Sequence, residues 1–388
     1  MKKGMIALLA LLLCLTLPAC GKQETDAPDV PDTPAADPAP PEKTPEELDE
    51  ERLNARIAEM TLEEKVGQLF FVRCPETDAA KDVEDYHLGG LLLFGRDYKD
   101  AGGAWLTEDA FTSMLASYQA AADLPLFIGS DEEGGTVTRA SRNPNLFSSP
   151  LRSPQELYAA AGMDGLLEET LRYNERLKAL GINVNFAPVC DVSTDAGDFI
   201  YARSFGKDAQ TTADYIAKAV TEYEAAGVAC VLKHFPGYGN NVDTHTGIAV
   251  DERSYETFET ADLLPFSAGI AAGAPFVLVS HNIVNCMDAS LPASLSPKVH
   301  EILRGTLGFD GLIVTDDLAM DAVKSYAQDG SVAVLALQAG NDMIVTTDYR
   351  TQIPQVIAAV VRGELDEREI DAHVTRVLHE KQALGLID

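Results

Sequence analysis

Three features of the sequence predict a (β/α)8 TIM-type barrel: short apolar runs, helical stretches between them, and polar residues gathered where the runs end. The runs are VGQLFFV (66–72), GLLLFG (90–95), PLFIGS (125–130), INVNFAPV (182–189), VACVLKHF (228–235), PFVLVSH (275–281), GLIVTD (311–316) and DMIVTT (342–347). Their near-continuous apolar character marks strands buried on both faces, as parallel sheets require. Between them, stretches such as TTADYIAKAVTEYEAAG carry apolar residues at helical spacing with Gly at the exit. Eight such units fit a closed barrel better than an open doubly wound sheet, which places one barrel domain in residues 51–388.

Two segments precede the barrel. Residues 1–20 form an export signal, with Lys2 and Lys3 as a basic start and MIALLALLLCLTL (5–17) as an apolar core too short to span a membrane comfortably. The run closes on LPAC and Gly21, which resembles a bacterial lipobox with Cys20 as the lipidated residue. Residues 21–50 are rich in Pro, Ala, Asp and Glu. Such a segment buries too little apolar surface to offset its chain entropy and is expected to be a disordered tether. The implied plan is an exported domain held by lipid at the outer face of a bacterial cell membrane.

A formal net charge of −31 excludes nucleic acid as a partner, since phosphate binding needs clustered Lys and Arg. Once the signal and Cys20 are set aside, Cys74, Cys190, Cys230 and Cys286 remain. They lie in or beside apolar runs without zinc-type spacing, so buried thiols are expected, and neither metal nor cofactor.

In a barrel all C-terminal strand ends face one mouth, so groups scattered in sequence converge there. Asp131 and Glu132 follow the third run, Asp191 the fourth, and Lys233 and His234 end the fifth. His281 ends the sixth, and Asp316 and Asp317 the seventh. A mouth of carboxylates, imidazoles and a few cations, with no phosphate-cradling Gly loop, suits a neutral polyhydroxylated substrate and glycosyl transfer. Asp316 is the candidate nucleophile. Asp317 fits a helix-capping role at least as well, which leaves Asp316 for chemistry. In KHFPGYGNNVDTHTG (233–247), His245 is able to give and take a proton near neutrality. Asp243, two residues earlier, is able to fix its tautomer. Taken alone, the D-T-H spacing is equally that of an ordinary surface loop.

The longer motifs carry more. MTLEEKVGQLFFV (60–72), GGLLLFGRD (89–97), SDEEGGTVTR (130–139), LGINVNFAPVCDV (180–192), ARSFGKD (202–208), KHFPGYGNNVDTHTG and LPASLSPKVHEILRGTLGFDGLIVTDDLAM (291–320) stand in one order, followed by ALQAGNDMIV (336–345). Together they resemble family 3 glycoside hydrolases of the bacterial β-N-acetylglucosaminidase (β-hexosaminidase) branch, in the single-domain lipoprotein form. The resemblance implies Asp316 as the nucleophile, His245 as acid/base and Asp243 as its partner. It implies that Asp131, Arg139, Arg203, Lys233 and His234 bind a terminal N-acetylglucosamine. The family usually reads KHFPGHGD, so Tyr238 and Asn240 are departures that bear on loop geometry and substrate fit.

The expected activity is release of terminal N-acetylglucosamine from peptidoglycan-derived fragments, with retention, through a glycosyl-Asp. Phosphorolysis at the same site, β-glucosidase activity on the same fold, and a non-catalytic sugar-binding lipoprotein remain open alternatives.

Overall fold

The computed structural model describes residues 43–241, 249–320, 323, 326 and 331–388. Its strands are β1 (Phe70–Arg73), β2 (Gly90–Leu93), β3 (Phe127–Ser130), β4 (Val184–Asn185), β5 (Ala229–Phe235), β6 (Val250–Asp251), β7 (Phe276–Val279), β8 (Ile283–Val284), β9 (Leu312–Thr315) and β10 (Ile344–Thr346). Eight of them form one sheet in the order β10-β1-β2-β3-β4-β5-β7-β9, and each neighbouring pair is parallel. A parallel bridge between Val314 and Met343 joins β9 to β10 and brings the sheet round on itself. This is the expected (β/α)8 barrel, and each predicted run overlaps one of its strands.

The register of local elements departs from expectation in three places. The run 66–72 begins as helix, because Thr61 and Glu64 form a capping box that starts α2 (Leu62–Gln68). Only Phe70–Arg73 is left as β1. A helix α1 (Pro45–Glu59) begins inside the segment read as tether, where PEELDEERLNARIAE is dominated by good helix formers. β6 and β8 make a separate two-stranded sheet that pairs Val250 with Ile283 and Asp251 with Val284. Strands of two residues leave no alternation to read.

The barrel interior is aromatic. Phe71 stands edge-on to Phe186 at 5.2 Å between centroids and lies 6.1 Å from Phe127, which meets Phe276 at 5.4 Å. The packing explains Gly129 in β3. A Cβ there would lie 2.7 Å from Phe71 Cζ and 2.8 Å from Phe186 Cε2, so only glycine lets these rings close the core. The helix Glu367–Ala383 sends Lys381 into this apolar interior. Its fully buried Nζ donates to Gln68 Oε1 at 2.6 Å and sits 5.3 Å over the Phe127 ring. Of the four thiols, Cys74, Cys190 and Cys230 are buried as expected, while Cys286 is exposed.

Arg253 ties together two parts of the chain that flank residues 242–248. Its guanidinium donates to Asp251 in β6 and to Asp262, and reaches the Gly237 carbonyl at 3.4 Å. A Cβ on Gly239 (φ +52°) would lie 2.2 Å from Arg253 Nη1, so glycine is required where the chain passes this side chain.

Candidate active site

The parallel strands bring their C-terminal ends to one face, and there a cavity of about 500 Å³ opens. It is lined by Asp131, Arg139, Arg203, Lys233, His234 and Asp316 among others. Six of the residues named from sequence therefore share one space. Asp243, His245 and Cys20 lie outside the described residues.

A buried charge network forms the cavity floor. Lys233, from β5, places Nζ 2.9 Å from Asp131 Oδ1 and 2.6 Å from Glu133 Oε1. Arg203 grips the same Glu133 in a bidentate pair, Nε at 3.0 Å and Nη2 at 2.8 Å. Arg139 approaches Asp131 at 3.7 Å. Burial pushes the Glu133 carboxyl up, but Lys233 and Arg203 overcome it and hold the group well below the ordinary carboxylate range. Burial likewise pulls Lys233 down, and Asp131 and Glu133 more than offset it, so the lysine stays charged. An extended segment points alternate residues to one side. Asp131 and Glu133 accordingly face the cavity, whereas Glu132 turns into the protein. There it accepts the backbone N–H groups of Arg139 and Ala140, each at 2.9 Å, and burial raises its carboxyl to about 7. Glu132 thus clasps the backbone that carries Arg139.

His234 is held at both ring nitrogens. Arg203 Nη2 lies 3.0 Å from Nε2, and a guanidinium only donates, so Nε2 is the acceptor. Nδ1 then carries the proton, directed at Asp191 Oδ2 at 2.7 Å. Asp191 also accepts the backbone N–H groups of His234 and Tyr238. Tyr238, the departure in the loop motif, is buried, with its ring edge-on to His234 at 5.0 Å and to Phe199 at 5.9 Å. The substituted side chain therefore backs His234. Asn240 is exposed.

Asp316 follows β9 and lines the cavity. Its Oδ1 accepts the Asp317 N–H at 2.8 Å. Asp317 is committed elsewhere: its carboxylate takes the Ala319 N–H at 2.8 Å and the Thr347 N–H and hydroxyl at 3.2 and 2.9 Å. Beneath them, buried His281 spans Ser294 Oγ and the Asp317 carbonyl. These bonds tie Asp317 to a local turn and to Thr347.

Arg73 and Phe94 line the cavity and were not singled out by sequence. Arg73 ends β1 and stacks its guanidinium 4.2 Å over Phe94, and Arg139 lies 5.6 Å from the same ring. Among the described residues the buried Nε of Arg73 has no hydrogen-bond partner. Glu133 was not singled out either, and Asp191, placed at the mouth from sequence, was given no role, although each anchors residues in the site.

Residues 61–379 match the glycosyl hydrolase family 3 N-terminal domain. The chain belongs to glycosyl hydrolase family 3. Within that family it is similar to beta-hexosaminidases. The Xylella fastidiosa (strain 9a5c) protein is 34% identical over 268 residues, which is 68% of this chain and 77% of that one. The Stenotrophomonas maltophilia (strain K279a) protein is 33% identical over 305 residues, 77% of this chain and 84% of that one. Among solved structures, a family 3 beta-N-acetylglucosaminidase from Paenibacillus sp. superposes with a TM-score of 0.77 at 33% identity, covering 84% of this chain and 63% of that one. A beta-N-acetylhexosaminidase from Beutenbergia cavernae gives 0.73 at 30% identity, covering 84% and 99%. The chain is thus a glycoside hydrolase of the β-hexosaminidase branch of family 3.

Proposed function

We propose that the protein is a retaining exo-β-N-acetylglucosaminidase that removes terminal N-acetylglucosamine from acidic, peptidoglycan-derived fragments. The observation that carries this reading is Asp316 sharing one cavity with the Lys233–Asp131–Arg139 cluster, while the carboxylate of Asp317, which lines the same cavity, is engaged by Ala319 and Thr347. In this account Asp131, Arg139 and Lys233 hold the hydroxyls of the non-reducing sugar. Arg203, fixed by Glu133 and His234, completes that grip. Asp316 attacks the anomeric carbon and forms a glycosyl ester. His245 protonates the departing oxygen and then deprotonates the incoming water, with Asp243 fixing its ring. The Arg73 guanidinium, on the cavity wall over Phe94, supports a substrate bearing an acidic group beyond the terminal sugar.

The protein is further proposed to act outside the cell, anchored through lipid on Cys20. Cys20→Ser is then expected to release it from the membrane fraction.

Turnover of an aryl β-N-acetylglucosaminide and an aryl β-glucoside tests the activity. Release from the first alone supports the account. Release from the second alone assigns a glucosidase, and no release with saturable sugar binding assigns a binding protein. A rate that depends on added phosphate, with a sugar 1-phosphate as product, assigns the phosphorolytic alternative.

A further inference from the structure

At the opposite end of the barrel from the cavity, Glu64, His87 and Asp123 bring one ligand atom each to within 4.8 Å of one another. They come from three separate elements: the first turn of α2, the turn between α3 (Ala79–Tyr86) and β2, and the turn between α4 (Glu108–Ala121) and β3. We propose that these three side chains form a binding site for a divalent transition-metal cation, zinc being the best fit.

Glu64 and the His87 backbone are held from behind. Glu64 is pinned by its capping box: Oε2 accepts the Thr61 N–H and hydroxyl at 2.6 and 2.8 Å, which leaves Oε1 for a ligand. His87 sits in a left-handed backbone conformation (φ +51°), and its carbonyl accepts from Gln68 Nε2 at 2.8 Å. α2 and the turn at His87 are in closest contact, since a Cβ on Gly67 would lie 2.6 Å from the His87 carbonyl oxygen. Glu64, one turn earlier on α2, is thereby fixed beside the imidazole. Asp123 Oδ2 already lies 2.7 Å from His87 Nδ1.

The chemistry of the set selects the ion. One imidazole and two carboxylates are the borderline donors zinc accepts, and three protein ligands leave a fourth, tetrahedral position for water. A cavity of about 290 Å³ adjoins the three side chains, with Glu59 and Arg56 on its wall, so a water ligand has room. With neutral imidazole, the two carboxylates bring a charge of −2 that the cation neutralises. Bound there, the ion would tie α2 to the turns entering β2 and β3.

Isothermal titration of the full chain with zinc chloride, in a Cys286→Ser background, tests the site. Thermal melts with and without zinc accompany it. One equivalent of zinc is expected to bind and to raise the melting temperature. Asp123→Asn and His87→Asn are each expected to remove that equivalent and the shift, with aryl glycosidase activity unchanged without zinc. Asp123 is exposed, so its variant tests the ligand set even where His87→Asn disturbs the turn. Failure of wild type to bind zinc overturns the proposal. So does binding that survives both variants and disappears in His245→Ala, which would place the ion at the catalytic mouth.

Discussion

Lys233 Nζ lies 2.6 Å from Glu133 Oε1, and both side chains are sealed from solvent, 3% and 1% exposed. Unpaired, either charge would be too costly to keep there. Paired, and joined by Arg203 and Asp131, they fix the floor on which the sugar is expected to rest. Glu133→Gln is predicted to cost about 3–5 kcal/mol of stability in urea unfolding, because Lys233 and Arg203 lose their shared counter-charge. The pH dependence has a definite sign. Glu133 titrates well below its ordinary value when folded, so its stabilisation is present above the unfolded pKa and is lost as pH falls toward the folded one. The Gln variant is predicted to lose that part of the acid-side slope.

Arg253 joins Gly237, Asp251 and Asp262, on either side of residues 242–248. Arg253→Ala is predicted to lower kcat roughly tenfold to a hundredfold by misplacing the loop that carries His245, with KM changed much less. Lysine offers one ammonium in place of the fork and is predicted to restore little of the loss. Steady-state kinetics, with circular dichroism to verify folding, provide the test.

Lys381 is predicted to shape stability on the alkaline side. Burial pulls its ammonium down to about 7 in the folded protein, whereas the unfolded chain holds the proton to about 10.4. Between those values the unfolded state binds more protons, so this residue makes stability rise with pH. Glu132 and Glu380, raised by burial to about 7 and about 8, act oppositely as pH climbs from the ordinary carboxylate range. The comparison to make is therefore wild type against Lys381→Met. The Met variant is predicted to be more stable near pH 7 and to lose the rise above it, as read by melting temperature across pH.

Arg73 is predicted to discriminate between substrates. Arg73→Met is expected to lower kcat/KM about tenfold to a hundredfold for substrates with a carboxylate on the leaving group, the scale of a hydrogen bond to a charged partner. For a neutral aryl leaving group it is expected to change little. Equal losses on both would assign Arg73 to the terminal sugar.

The barrel was legible because burial on both faces writes a parallel strand as an apolar run, and Asp131, Lys233 and Asp316 stand at run ends. What escaped was anything decided by a turn. The Thr61 capping box converted half of one run into helix, and β6 and β8 are too short for a pattern. Glu133 carries no motif signal of its own, although alternation along an extended segment puts it on the same side as Asp131. Arg73 falls just past its run with no adjacent acidic residue to mark it, and Asp191 shows its role only when β4 and β5 bring it to His234.

The central claim is that Asp316 forms a covalent bond to the sugar. The most direct measurement is peptide mapping by mass spectrometry of enzyme quenched during turnover of an activated aryl β-N-acetylglucosaminide. The account predicts a glycosyl adduct on the peptide containing Asp316, absent in Asp316→Asn, and first-formed product of β configuration. An adduct on another residue, or first-formed product of α configuration, would contradict it.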